Sequence, residues 1–342
     1  MLAAGAAIVV EAGVVGGVDG LVAAVVELEL HAAPSAAASA RYGTSRRKVM
    51  GGAYDSAMPY ARNGDCSIYY ETFGERFIDG IEQPTLVLVN GLGSQCINYP
   101  VAWCEMFVAR GSYVIRFDNR DVGLSTHFID APLGNQAECY TVSDMAADLI
   151  AVLDAEGVGA AHIMGLSMGG MIVQVAAIEY PQRVLTMTSA MSSTGEPEFM
   201  RSSPRASELL LAPSPTDRES YVQQWIAGLL EWGSPEFADA DRWSRDANAA
   251  FDRCFEPTGQ KRQYFGVRAS GQRVEGLRNL QVPTLVMHGD KDTLIDQIGG
   301  RRTAELIPES RFELIEGMGH DYPPQLWDRW VDLVVQHMGL GS

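Results

Sequence analysis

Residues 163–171 have the sequence Ile-Met-Gly-Leu-Ser-Met-Gly-Gly-Met, which places Ser167 in the pattern Gly-x-Ser-x-Gly. The pattern follows a strand-like apolar run and precedes a helix-like one. A serine on a sharp turn between a strand and a helix has strained backbone geometry, so the residues two before and two after it must be very small. Gly165 and Gly169 meet this requirement. The stretch therefore predicts a nucleophile elbow with Ser167 as the nucleophile.

Strand-like and helix-like patterns alternate on both sides of this elbow. Continuous apolar runs such as residues 85–89 are typical of strands that are buried on both faces of a parallel sheet. We predict strands at residues 66–73, 85–89, 113–117, 162–166, 184–190, 284–288 and 312–315, and helices at 99–110, 142–156, 168–180 and 325–337. The alternation predicts an α/β fold with a mostly parallel, doubly wound sheet, whose ligands bind at the carboxyl ends of the strands.

Residues 195–280 interrupt this alternation. They contain no buried-strand pattern, and they have helical patterns and many aromatic residues. We predict that they form a helical cap inserted into a core made of residues 59–194 and 281–342.

The N-terminal part of the chain differs in composition. It is rich in Ala, Val and Gly, but acidic residues interrupt it before any uncharged run reaches the ~18 residues of a membrane span. No Lys or Arg precedes Arg41, which argues against a secretory signal. We predict a poorly ordered or non-native extension at residues 1–58, and the alternative is that translation starts near Met50 or Met58.

The overall composition is that of a globular enzyme. The 43 acidic and 26 basic residues give a net charge of −17, which disfavours binding to nucleic acid or to an anionic membrane. The five cysteines form no Cys-x-x-Cys pair and no zinc-ligand spacing, and the glycine-rich turns lack a dinucleotide-binding pattern. We expect free thiols, a cytoplasmic location, no metal and no cofactor.

A serine nucleophile needs a base that a carboxylate orients. His320 ends a flexible Gly-Met-Gly-His loop after the last predicted strand, where a base on a loop is expected. Asp292 follows the strand at residues 284–288 and is the favoured carboxylate, because it is far enough along its loop to turn back towards His320. The alternative carboxylates near these strand ends are Asp290, Asp296 and Asp321.

The oxyanion of an acyl-transfer intermediate needs two backbone N–H donors. Met168 follows the nucleophile at the start of a helix, so its amide is one candidate. Leu92 lies in the glycine-rich loop that follows residues 85–89, and its amide is the other candidate.

From about Cys66 to the C-terminus, these motifs resemble the α/β-hydrolase superfamily, in its cap-bearing branch of esterases, lactonases, cofactor-free perhydrolases and C–C bond hydrolases. The triad order Ser167, Asp292, His320 is the order of that superfamily. Asn90 stands where the oxyanion loop usually has histidine, and Asp121 replaces a glycine in the Asp-x-Arg-Gly-x-Gly-x-Ser turn. With this second departure, with Val114-Ile115-Arg116-Phe117 before it and with Gly317-Met318-Gly319-His320 later, the chain looks most like the aclacinomycin methylesterase group.

The resemblance implies a serine carboxylic-ester hydrolase that acts on a small to medium apolar ester, such as a methyl ester, through an acyl-enzyme. A cofactor-free perhydrolase, a lactonase or a C–C bond hydrolase with the same triad is the alternative. A non-catalytic ligand-binding protein is the alternative from another class. Ser167 argues against dehalogenases and epoxide hydrolases, which have aspartate at the elbow. The sequence leaves the oligomeric state open.

Overall fold

The computed structural model describes residues 59–131 and 140–340, so the predicted extension at residues 1–58 lies outside the described residues. The strands of the described part are β1 (Tyr60–Asn63), β2 (Cys66–Phe73), β3 (Phe77–Ile78), β4 (Ile81–Glu82), β5 (Thr85–Val89), β6 (Tyr113–Phe117), β7 (Ala161–Leu166), β8 (Val184–Ala190), β9 (Thr284–Gly289) and β10 (Arg311–Ile315). Eight of them form one sheet in the order β1-β2-β6-β5-β7-β8-β9-β10, and β3 and β4 form a separate hairpin.

The sheet is parallel from β6 to β10, and only β1 and β2 run antiparallel to their neighbours. Every residue of β5, β6, β7 and β9 is buried, as expected for parallel strands that are covered on both faces. The predicted α/β fold with a mostly parallel sheet is confirmed.

Helices cover both faces of the sheet. The helices of the described part are α1 (Val101–Val108), α2 (Val142–Ala155), α3 (Met168–Glu179), α4 (Pro204–Leu210), α5 (Arg218–Trp232), α6 (Ala240–Arg253), α7 (Gly259–Ser270), α8 (Val274–Arg278), α9 (Gln297–Leu306) and α10 (Trp327–His337). Val87 and Val89 of β5 pack in the cluster that contains α2 and α3, whereas Leu86 and Leu88 pack with α1 and α10. The alternating side chains of one strand therefore join two separate cores.

The carboxyl ends of the parallel strands carry the loops in which the candidate site residues lie. Leu92 follows β5, Ser167 follows β7, Asp292 follows β9 and His320 follows β10. Helices α4 to α8 lie between β8 and β9, in residues 195–280, and these residues are called the cap segment below.

No helix of the described part has the length and apolar character needed to cross a bilayer. Among the described residues, the free cysteines are Cys66, Cys96, Cys104 and Cys254.

Candidate active site

Ser167 lies at the junction of β7 and α3 with φ +56° and ψ −118°, a strained conformation for a residue other than glycine. A Cβ at Gly165 would lie 2.0 Å from the Gly169 carbonyl oxygen, and one at Gly169 would lie 2.1 Å from the Val89 carbonyl oxygen. Both positions therefore require glycine. The Ser167 amide donates to the Ala190 carbonyl at 2.9 Å, which ties the turn to β8.

His320 and Asp292 are in direct contact. His320 Nδ1 lies 2.7 Å from Asp292 Oδ2, while Asp292 Oδ1 accepts hydrogen bonds from the Leu294 and Ile295 amides, both at 2.9 Å. Because a carboxylate only accepts, His320 carries its hydrogen on Nδ1 and leaves Nε2 as the basic atom.

Neighbouring histidines stabilise the ionised form of Asp292. Burial alone would raise the pKa of Asp292, but His320 and His288 outweigh this effect and lower the pKa to about 2. Asp292 is therefore ionised at neutral pH and can stabilise a positively charged His320.

His288 is a neighbour of this site that the sequence did not indicate as functional. It is fully buried, and its Nε2 lies 2.8 Å from the Ile295 carbonyl oxygen and 3.2 Å from Asp292 Oδ2. Because a carbonyl oxygen also only accepts, His288 carries its hydrogen on Nε2 and donates towards Asp292. In the sequence, the feature that could have indicated this contact is the position of His288 near the end of β9, four residues before Asp292.

The three alternative carboxylates have other partners. Asp290 Oδ1 accepts from the Gly317 amide at 2.7 Å. Asp296 caps α9 by accepting from the Ile298 amide at 2.9 Å. Asp321 Oδ1 accepts from the Ser234 amide and hydroxyl. Among the described residues, only Asp292 pairs its carboxylate with His320.

The glycine-rich loop after β5 lies against the nucleophile. A Cβ at Gly91 would lie 3.3 Å from Ser167 Cβ, so Leu92 is one residue away from a direct neighbour of the serine. Met168 is the first residue of α3, where an amide has no acceptor within its own helix. The two candidate oxyanion donors therefore belong to segments that adjoin Ser167, and Leu92 and Met168 line the same cavity as Ser167.

Two side chains shape this loop. Asn90, at the position of the usual histidine, is buried and donates from Nδ2 to the Gln95 carbonyl at 3.1 Å, which closes the loop. Gln263 of α7 accepts from the Gly93 amide through Oε1 at 2.7 Å and donates to the Arg120 carbonyl at 2.8 Å. The cap segment thus contacts the candidate oxyanion loop directly.

Ser167 and His320 line one cavity of about 550 Å³. Within the described residues no hydrogen bond joins their side chains, and such bonds are commonly long before substrate binds. The cap segment contributes aromatic side chains to the same cavity, namely Tyr221, Trp225, Trp232, Trp243 and Tyr264. The cavity can therefore enclose an apolar molecule against the two candidate catalytic groups.

A group of potential metal ligands includes two residues of the cavity wall, His127 and Glu256, and the buried Asp121. Asp121, His127 and Glu256 each place one ligand atom within 4.8 Å of the others. Arg262 donates to Asp121 Oδ1 at 2.9 Å and to Glu256 Oε2 at 2.7 Å. The guanidinium already supplies positive charge between the two carboxylates.

Comparisons with known proteins agree with this architecture. A family described as "alpha/beta hydrolase fold" matches residues 84–322. Rhodomycin D methylesterase DauP of Streptomyces sp. (strain C5) is 28% identical over 274 residues, which cover 72% of this chain and 88% of the relative. Rhodomycin D methylesterase DnrP of Streptomyces peucetius is 28% identical over 284 residues, which cover 76% and 91%.

Solved structures show the same fold. The esterase RhEst1 from Rhodococcus sp. ECU1013 superimposes with a TM-score of 0.66 over 82% of this chain and 98% of that structure, at 23% identity.

Proposed function

Because this chain belongs to the alpha/beta hydrolase fold family, we propose that it is a serine hydrolase of carboxylic esters. The predicted resemblance to the methylesterase group and the general class, a hydrolase, are confirmed by the relatives. We further propose that the catalytic residues are a Ser-His-Asp triad. The main observation in support is the 2.7 Å contact between His320 Nδ1 and Asp292 Oδ2, because His320 lines the cavity that Ser167 also lines.

The proposed reaction has two halves. Ser167 Oγ attacks the ester carbonyl carbon while His320 Nε2 takes the hydroxyl proton, and the oxyanion then collapses to an acyl-enzyme. His320 gives the proton to the departing alcohol. A water molecule repeats the attack with His320 as base, and the acid leaves as Ser167 recovers its proton. Asp292 orients His320 and stabilises its positive charge.

The oxyanion is held in this proposal by the Leu92 and Met168 amides. Each such donor contributes on the order of 10²–10³ in rate when it is aimed at the developing charge. The reaction requires no cofactor and no metal.

The substrate we propose is a small to medium apolar ester. A cavity of about 550 Å³ with an aromatic cap wall favours an apolar molecule, since such a wall offers few hydrogen bonds to a polar one. A methyl ester is the first candidate, because two relatives are named methylesterases. We propose that residues 195–280 act as a cap over a core of residues 59–194 and 281–342, and that the protein is cytoplasmic.

The test is a panel of activated aryl esters, methyl esters and lactones, with peracid formation and C–C cleavage assayed in parallel. Ser167→Ala deletes one oxygen at a partly exposed position, so we expect an unchanged melting temperature and a loss of nearly all turnover. A fluorophosphonate probe should label the wild type and not the variant.

Each alternative gives a different result in this panel. Preferred lactone, peracid or C–C turnover would replace the ester assignment while keeping Ser167. Absence of both labelling and turnover in the wild type would favour the non-catalytic binding protein. Comparable turnover in Ser167→Ala would remove Ser167 from the mechanism.

A further inference from the structure

The end of α5 in the cap segment packs directly on the loop that carries His320. The His320 amide donates to the Trp232 carbonyl at 2.5 Å. A Cβ at Gly319 would lie 2.3 Å from the Gly233 carbonyl carbon, so only glycine lets the two backbones approach this closely. The base is therefore attached to the cap segment through its own backbone.

Ser234 makes hydrogen bonds to the residues on both sides of His320. It is 1% exposed. Its Oγ accepts from the Gly319 amide at 2.9 Å, because an N–H group only donates. The hydroxyl hydrogen is thus free to go to Asp321 Oδ1, which the Ser234 amide also contacts at 2.9 Å. We call these contacts of Trp232 and Ser234 with residues 319–321 the histidine clamp.

We propose that Ser234 is a positioning residue for His320, so that the cap segment fixes the base as well as enclosing the substrate. This inference rests on the proposed function, in which His320 is the base.

The reason lies in how the His320 ring is held. Its Nδ1 is bonded to Asp292 Oδ2, and no hydrogen bond joins its other nitrogen to Ser167 within the described residues. The reach of that nitrogen therefore depends on where the loop backbone lies. A misplacement of about 1 Å can cost on the order of 10² in rate. The histidine clamp holds three consecutive positions of that backbone, namely 319, 320 and 321.

If Ser234 contributed only to the stability of the fold, its substitution would change other measured quantities. Loss of stability lowers the amount of folded enzyme and the melting temperature, but it leaves the kcat of each folded molecule unchanged. Loss of positioning lowers kcat and the rate of fluorophosphonate labelling, with little effect on KM. The two roles are therefore separable by kinetics on titrated active sites.

The central variant is Ser234→Ala, which removes both hydroxyl hydrogen bonds and keeps the backbone amide. We expect kcat on an activated aryl ester to fall roughly 10- to 100-fold, with KM within about threefold of wild type. Ser234→Thr keeps the hydroxyl and should recover most of the loss. The matched control is Ser203→Ala in the same segment, since Ser203 Oγ also makes two hydrogen bonds, at 2.6 and 2.9 Å, to Glu231 and the Ala206 amide. We expect the control to keep kcat within about twofold.

A second pair of variants, at Asp321, tests the other partner of the histidine clamp. This pair still tests the positioning proposal if Ser234→Ala does not fold. Asp321→Asn keeps an oxygen acceptor for Ser234, whereas Asp321→Ala does not. We expect Asp321→Ala to lose as much kcat as Ser234→Ala, and the double variant Ser234→Ala/Asp321→Ala to lose no more than either single variant.

The proposal is overturned if Ser234→Ala has the kcat of wild type or of the Ser203→Ala control, if Asp321→Ala and Asp321→Asn have equal kcat, or if the losses of the double variant multiply. A wild type that is inactive and is not labelled by the probe would instead contradict the proposed function. Failure of the positioning proposal can therefore be distinguished from failure of the proposed function.

Discussion

Asp292→Asn is the change that most sharply tests the proposed site. Asp292 Oδ1 accepts from the Leu294 and Ile295 amides, and Oδ2 accepts from His320 and His288. The two backbone amides will hold the asparagine oxygen on their side, which turns its NH₂ group towards the histidines. His320 then meets a donor instead of an acceptor and must move its hydrogen to the nitrogen that should receive the Ser167 proton.

The magnitude follows from the electrostatics of the carboxylate. His320 and His288 lower the pKa of Asp292 from 3.8 to about 2 against the opposing effect of burial, so the histidines stabilise the charged form by an amount on the order of 2 kcal/mol. Loss of an interaction of that size costs on the order of 10- to 100-fold in rate if it acts only in the transition state. The wrong tautomer adds to this loss, so we expect kcat to fall by roughly 10²–10⁴.

The assay is steady-state ester hydrolysis on folded Asp292→Asn, Asp290→Asn and Asp321→Asn. Asp290 and Asp321 accept hydrogen bonds that an asparagine oxygen can keep, so we expect each of those variants to lose less than about tenfold. If Asp292→Asn is the mildest of the three, the assignment of the triad acid is wrong, whatever the Ser167 result.

Two further predictions concern the cap segment and the sheet. Gln263→Leu removes both the acceptor of the Gly93 amide and the donor to the Arg120 carbonyl, so kcat should fall roughly tenfold; a kcat equal to that of wild type would exclude a role for these contacts. Burial, and then the nearby His337, lower the pKa of His162 from 6.5 to about 4, so its neutral form stabilises the fold above pH 6.5 and this stabilisation is lost as the pH falls towards 4. Urea unfolding should show up to about 3 kcal/mol of acid destabilisation from this group, and a His162→Gln variant with the same pH dependence as wild type would contradict the assignment.

The sequence predicted the strongly patterned elements of the sheet and missed the short ones. The runs at residues 85–89 and 113–117 are strands with the predicted bounds, because a short run of buried residues that are mostly apolar and β-branched or aromatic admits few other structures. The four-residue β1 and the two-residue strands β3 and β4 were missed, because their pairing with neighbours, and not their own side chains, determines them.

The sequence likewise predicted some residues of the candidate site and missed others. Ser167, Asp292 and His320 could be proposed because each follows a recognisable strand, and the fold brings strand ends together. The contacts of Ser234 and His288 with the candidate site depend on where a helix end and a strand end pack in three dimensions. Residues 234 and 319 are 85 positions apart, and no local pattern links a serine after a helix of the cap segment to a candidate base that far along the chain.

The departure at Asp121 shows how the turn and the cap segment depend on each other. Asp121 has φ +70°, which explains why the motif usually has glycine there and costs about 1–2 kcal/mol for another residue. Its side chain accepts from the Phe128 amide at 2.7 Å and from Arg262 of α7 at 2.9 Å. Gly259, the first residue of α7, packs so closely on the Asp121 backbone that a Cβ would lie 1.9 Å from its carbonyl oxygen.

These contacts place α7 at a fixed distance from the turn, and the residue after Arg262 is Gln263, which binds the Gly93 amide and the Arg120 carbonyl. The aspartate that strains the turn therefore also anchors the helix that holds the candidate oxyanion loop. Reverting Asp121 to glycine would relieve the backbone strain but remove the acceptor of Arg262, leaving that buried guanidinium with Glu256 and Thr258 alone. Asp121, which departs from the motif, therefore acts together with two consecutive residues of the cap segment: Arg262 binds Asp121, and Gln263 binds the candidate oxyanion loop. A substitution at any of these three residues is expected to affect the other two.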